Sequence, residues 1–108
     1  MISLIEHHRT EVAALCTRFG VQRLEVFGSA TDGTFDTERS DIDFLVEFSP
    51  EDSGSLFHGY FGLQEALQHV FHRKIELVSA SALSNPFFIA AVNKSRQPVY
   101  ASARAQAA

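Results

Sequence analysis

Two carboxylates, Asp41 and Asp43, stand two positions apart at the start of an apolar run, DIDFLVEF, whose alternation is that of a β-strand. Residues two apart on a strand share a face and lie about 7 Å from each other along the backbone. Ile42, Phe44, Val46 and Phe48 then point the opposite way, towards a core. Two anions held on one face repel each other unless something cationic sits between them. A divalent cation such as Mg²⁺ is the natural occupant, because it takes one or two carboxylates and completes its shell with water and substrate phosphate. Upstream, Gly28-Ser29 closes another apolar run, VQRLEVF. A glycine lets a phosphate approach the backbone closely, amides opening a following helix favour an anion, and the serine hydroxyl adds a hydrogen bond. Metal and phosphate are expected in one place.

Positioning these groups requires a scaffold, and the flanking sequence supplies one. Ser3 to Phe19 reads as an amphipathic helix with Ile5, Val12, Leu15, Cys16 and Phe19 at three- and four-residue steps, stopped by Gly20. Val21 to Phe27 is a first strand that delivers Gly28 at its carboxyl end, where α/β sheets often place ligands. Asp32, Asp36 and Glu38 occupy the loop between the two motifs. After the polar turn EDSGS, a helix runs from about Leu56 to Phe71, with Phe57, Phe61 (or Tyr60), Leu67 and Phe71 as its buried stripe. Gly59 and Gly62 lower its intrinsic helicity and permit a close contact. Arg73 to Ser79 is a third strand, Ile75 and Leu77 on one face and Glu76 on the other. Asn85-Pro86 starts a last helix, Asn as cap and Pro at the first helical position. That helix carries more apolar surface (Phe87, Phe88, Ile89, Val92) than one stripe needs, which fits a partner or oligomer interface. PVY is a short extended piece, and ASARAQAA has nothing to anchor it.

Several function classes are excluded or made less favourable. A chain of 108 residues with 45% hydrophobic content, ten of them Phe, fits one domain with a real core. No run approaches the roughly 18 apolar residues of a membrane span, MISLIEHHRTE is unlike a signal peptide, and the lone Cys16 forms no intramolecular disulfide, so a cytoplasmic protein is the simplest expectation. GSATDGT has glycines at P-loop spacing, but Thr34 stands where that loop needs lysine. The acidic loop lacks the order of a calcium loop. His7 and His8 read as surface residues, as do His69 and His72, which have no third soft ligand beside them. Residues 24 to 72 hold ten acids and one base, whereas residues 73 to 108 hold five bases (Arg73, Lys74, Lys94, Arg96, Arg104) and one acid. The acidic middle cannot draw a triphosphate or RNA without metal; the basic third would help hold phosphates or meet an acidic partner, or is simply solvated.

Gly28, Ser29, Asp41 and Asp43, with Ser40 and Ile42 completing Ser-Asp-Ile-Asp, resemble the pattern of the minimal nucleotidyltransferases of the polymerase-beta superfamily. The order of helices and strands resembles that family over residues 1 to 100, a single domain, with 101 to 108 as a disordered tail. The resemblance implies an α/β (α+β) nucleotidyltransferase fold, a small mixed sheet flanked by helices in the order α-β-α-β-α-β-α. It further implies that Asp41, Asp43 and Glu76 bind Mg²⁺, two ions in all, and that Gly28, Ser29 and Ser40 hold the nucleotide, ATP. Two departures stand out: Asp32 precedes Gly33 where the family often has Arg-Gly, and KIELVS offers Glu76 where the third carboxylate is commonly Asp.

Minimal members of this family typically act with a small helical HEPN-family ribonuclease toxin, whose tyrosine they modify with AMP. What the resemblance implies is therefore a type VII-like antitoxin and protein adenylyltransferase, with no direct nucleic-acid binding and no membrane. Two alternatives stay open: an antitoxin that acts by binding alone, for which Asp32 and Glu76 speak, and transfer to a small molecule such as an aminoglycoside across a dimer cleft.

Overall fold

A computed structural model describes residues 3–28, 41–49, 56–80 and 84–102. Helices α1 (Ser3–His7) and α2 (Arg9–Arg18) lead into strand β1 (Val21–Phe27), and strand β2 (Ile42–Phe48) is followed by helix α3 (Leu56–Phe71). Strand β3 (Ile75–Ser79), helix α4 (Pro86–Ser95) and strand β4 (Gln97–Ala101) complete the described elements. The strands form one mixed sheet in the order β3-β2-β1-β4, in which β2 runs parallel to β3 and β1 is antiparallel to both β2 and β4.

The sheet has two unlike faces, as the alternation of β2 demands. Ile42, Phe44 and Val46 are fully buried with Leu24, Val26, Ile75 and Leu77 against Ile5, Val12, Cys16, Leu63, Leu67 and Phe71 of the helices. The Cys16 thiol sits deep enough in this layer that burial pushes its pKa up to about 12, a structural rather than a nucleophilic thiol. On the other face a second, smaller cluster joins Phe27, Leu45 and Val92, with Val78 and Ala80 beside it. Helix α4 thus covers part of that face.

The fold class matches the expectation, and five local features differ from it. The N-terminal helix is broken at His8, whose amide bonds back to Ile5 O at 3.2 Å. The His8 ring leaves the surface to meet Phe71 edge-on, 5.4 Å between centroids. In α3 Leu63, Leu67 and Phe71 are buried as a stripe, and Tyr60, the alternative to Phe61, packs partly buried against them. Phe61 is 50% exposed, while the Phe57 side chain lies outside the described residues. Gly59 and Gly62 explain the rotation, since a Cβ at Gly62 would lie 2.6 Å from Phe19 Cε1 and the helix presents its glycines, not Phe61, to α2. β3 begins at Ile75 rather than Arg73.

The order also ends on a strand, not on a helix. Gln97–Ala101 pairs with β1, and the Ser102 amide reaches Gln22 O at 2.9 Å. Pro98 is tolerated because β4 is an edge strand, where a missing N–H costs no ladder bond. The short helix expected after Gly28-Ser29, and residues 103–108 of the expected tail, lie outside the described residues. No described helix is long and apolar enough to cross a membrane.

Helix α4 starts as its sequence predicts. The Asn85 side chain accepts hydrogen bonds from the amides of Phe87 (2.9 Å) and Phe88 (3.3 Å), with Pro86 in the first turn. Asn85→Ala is expected to cost about 1 kcal/mol of stability, read as a lowered urea midpoint with an unchanged m-value. An unchanged midpoint would show that α4 is held by its packing alone.

Candidate functional site

The site is built where β1 ends and β2 and β3 begin. Parallel pairing places Asp43 directly beside Glu76, and antiparallel pairing places it opposite Phe27. Neighbouring strands lie about 4.8 Å apart, so both carboxylates rise from adjacent positions on the outer face. Asp41 sits one residue before β2, half-buried. Gly28 follows Phe27 with φ +73, a left-handed conformation that favours glycine. A Cβ there would stand only 2.7 Å from Asp43 Oδ2. The glycine therefore does two things: it makes the turn and leaves room for the carboxylate.

Charge accumulates at this point. Burial raises the Asp43 pKa above its ordinary value, and the nearby negative charges of Glu76 and then Asp41 raise it further. An acid pushed this way favours its protonated form, and an added cation would relieve it. Glu76 already has a cation beside it: Lys74 Nζ lies 3.2 Å from its Oε1 in an exposed pair. The Lys74 pKa is raised by its hydrogen bond to Glu76, then by the charges of Glu76 and Asp41. Among the described residues no three of His, Cys, Asp and Glu converge as a ready metal set, and the turn of Glu76 towards Lys74 is a physical reason. The donor chemistry nevertheless suits a hard cation, since all three groups are carboxylates.

Gly28, Asp41, Asp43 and Glu76 are thus assembled at one end of the sheet. Ser29 and Ser40, expected to hold nucleotide, lie outside the described residues, as does Asp32. One partner of the glycine turn was not anticipated. The Gly28 amide donates to Ser95 Oγ at 3.1 Å. Beside the site, a cavity of about 120 Å³ is lined by Arg23, Glu25, Leu45, Glu47, Ala80 and Arg96, among others. There Arg96 Nε pairs with Glu25 Oε2 at 3.2 Å. Of the basic third, Lys74 and Arg96 are therefore occupied by acids of this chain, and Arg104 lies outside the described residues.

Comparisons with known proteins bear on the family and the fold. Residues 10–99 match the family model of the nucleotidyltransferase domain. The protein adenylyltransferase MntA of Thermococcus cleftensis is 36% identical over 83 residues, 77% of each chain. A solved chain assigned as a minimal nucleotidyltransferase superposes with a TM-score of 0.71 at 31% identity, covering 86% of this chain and 90% of that one. A toxin–antitoxin structure with AMP-PNP gives a TM-score of 0.65 at 18% identity, over 89% of this chain and 75% of the other. A tri-AMPylated HEPN toxin of Shewanella oneidensis in complex with its MNT antitoxin gives 0.62 at 14% identity, over 95% and 77%. At these last identities the likeness is one of fold.

Proposed function

Since the chain belongs to the nucleotidyltransferase domain family, we propose that it is an antitoxin that transfers AMP from ATP to a tyrosine of a cognate HEPN-family toxin and so neutralises it. The observation that carries this reading is the in-register pair Asp43 and Glu76 beside Gly28, with Asp41 close enough to raise the Asp43 pKa. Its relatives support the reading: the Thermococcus protein is a protein adenylyltransferase, and the Shewanella antitoxin of like fold is in complex with an AMPylated HEPN toxin.

The reaction is one displacement at the α-phosphorus. The tyrosine oxygen bonds to it as its bond to the bridging β-phosphate oxygen breaks, and pyrophosphate leaves. Asp41, Asp43 and Glu76 would hold Mg²⁺. When bound, Mg²⁺ supplies positive charge to the attacking hydroxyl and the departing pyrophosphate. The chain's own residues do the remainder. Glu76, 49% exposed and therefore open to an incoming protein, takes the tyrosine proton or passes it to water. Asp43, half-buried between Phe27 and Glu76, fixes the cation's place. Ser29 and Ser40 are assigned to the nucleotide by the motif alone.

The test uses a cognate HEPN-family toxin. After incubation with ATP and Mg²⁺, tandem mass spectrometry is expected to find one or more AMP groups on tyrosine. AMP on another residue type would remove the tyrosine assignment. A stable, neutralising complex with no added AMP would favour the binding-only reading, whose specific support is the Lys74–Glu76 pair occupying the third carboxylate.

A further inference from the structure

Helix α4 is fastened to the site at three places. The Phe88 ring meets Phe27 edge-on, 6.0 Å between centroids, and Phe27 directly precedes Gly28. Val92, 1% exposed, packs with Phe27 and with Leu45, two residues beyond Asp43. In the last turn the Ser95 hydroxyl accepts from the Gly28 amide at 3.1 Å and donates to Ala91 O at 3.4 Å. The second bond orients the hydroxyl: its proton is spent on the helix carbonyl, which turns a lone pair towards Gly28. The residue it holds lies close to a carboxylate, since a Cβ added at Gly28 would stand 2.7 Å from Asp43 Oδ2.

We propose that Ser95 is a positioning residue for nucleotide binding, fixing the Gly28 peptide and through it the spacing between the glycine turn and Asp43. It makes no contact with the reacting atoms in this account; it acts through Gly28. The inference rests on the nucleotidyl-transfer reading, and it makes the Gly28 amide a tether to α4. Ser95→Ala removes the acceptor and leaves that amide without its tether, whereas Ser95→Thr keeps an oxygen at the same place.

Two readouts on the intact chain test this. The first is amide hydrogen exchange at Gly28, followed by NMR. Protection is expected to fall about tenfold in Ser95→Ala, the scale of one lost hydrogen bond, and to return within about twofold of wild type in Ser95→Thr. The second is calorimetric affinity for AMP-PNP with Mg²⁺, expected to weaken about five- to tenfold in Ser95→Ala and to be restored by Thr. If wild type binds the nucleotide and Ser95→Ala binds it equally, or if Gly28 stays equally protected, the positioning role is overturned while the nucleotidyl-transfer reading stands. If Ser95→Ala binds no worse and wild type also transfers no AMP, both fall. A weakened Ser95→Ala that Thr does not rescue would overturn the role as well, because the oxygen would then not be what matters.

Discussion

Asp43→Asn is expected to lower AMP transfer by about 10³-fold or more while leaving the fold intact and the chain no less stable. The activity loss follows from its place: Asp43 stands beside Glu76, opposite Phe27 and close against Gly28. A cation's charge stabilisation is worth several kcal/mol, and each 1.4 kcal/mol is about tenfold in rate. The stability expectation follows from its pKa, raised above the ordinary 3.8 by burial and by Glu76 and Asp41. Between 3.8 and the higher native value the folded state holds the proton more tightly than the unfolded chain does. Wild-type stability should therefore decline as pH rises through that window and stay lower above it. Asn carries no charge, so the variant should lose that part of the decline. Urea midpoints across that window, in chelator, measure it. Full turnover in the variant, or a stability loss at neutral pH, would contradict this role.

Gly28→Ala is expected to combine a stability loss of about 1–2 kcal/mol with a fall in transfer of about 10²-fold. The first figure is the cost of a Cβ in the left-handed region at φ +73. The second is the cost of moving a reacting group by about 1 Å, because the new Cβ would meet Asp43 Oδ2 at 2.7 Å and one of them must shift. Gly20 offers an internal control. It has nearly the same conformation, φ +71, in the turn between α2 and β1, where its carbonyl accepts from Ser49 N at 2.8 Å. Gly20→Ala should lose similar stability and keep its activity. Equal activities for the two variants, corrected for folded fraction, would mean that Gly28 serves only the turn.

What was legible in the sequence is what local chemistry dictates. Alternation in β1 and β2 separated Ile42, Phe44 and Val46 from Asp43 before any coordinates. Asn85-Pro86 announced the start of α4, and the glycines of α3 announced a close contact. Glu76 was placed on the solvent side of β3 by the same alternation, and only strand pairing could put it beside Asp43. Partners distant in sequence left no such mark. Ser95 lies 67 positions from Gly28, and a serine in the last turn of a helix is ordinary. The pairing of Gln97–Ala101 with β1 likewise depends on a sheet edge that the pattern does not specify. Periodicity left Phe61 and Tyr60 as alternatives for one position, and packing decides for Tyr60, because Gly62 lets Phe19 take the facing position and Phe61 turns outward.

If Asp41, Asp43 and Glu76 serve nucleotidyl rather than phosphoryl transfer, the position of an isotope in ATP will show it. The cognate toxin is incubated with this chain, Mg²⁺ and ATP labelled in either the α- or the γ-phosphate. The account predicts label on the toxin from the α-phosphate alone, none in chelator, and none with Asp43→Asn. Label from the γ-phosphate, or α-label undiminished in Asp43→Asn, would contradict it.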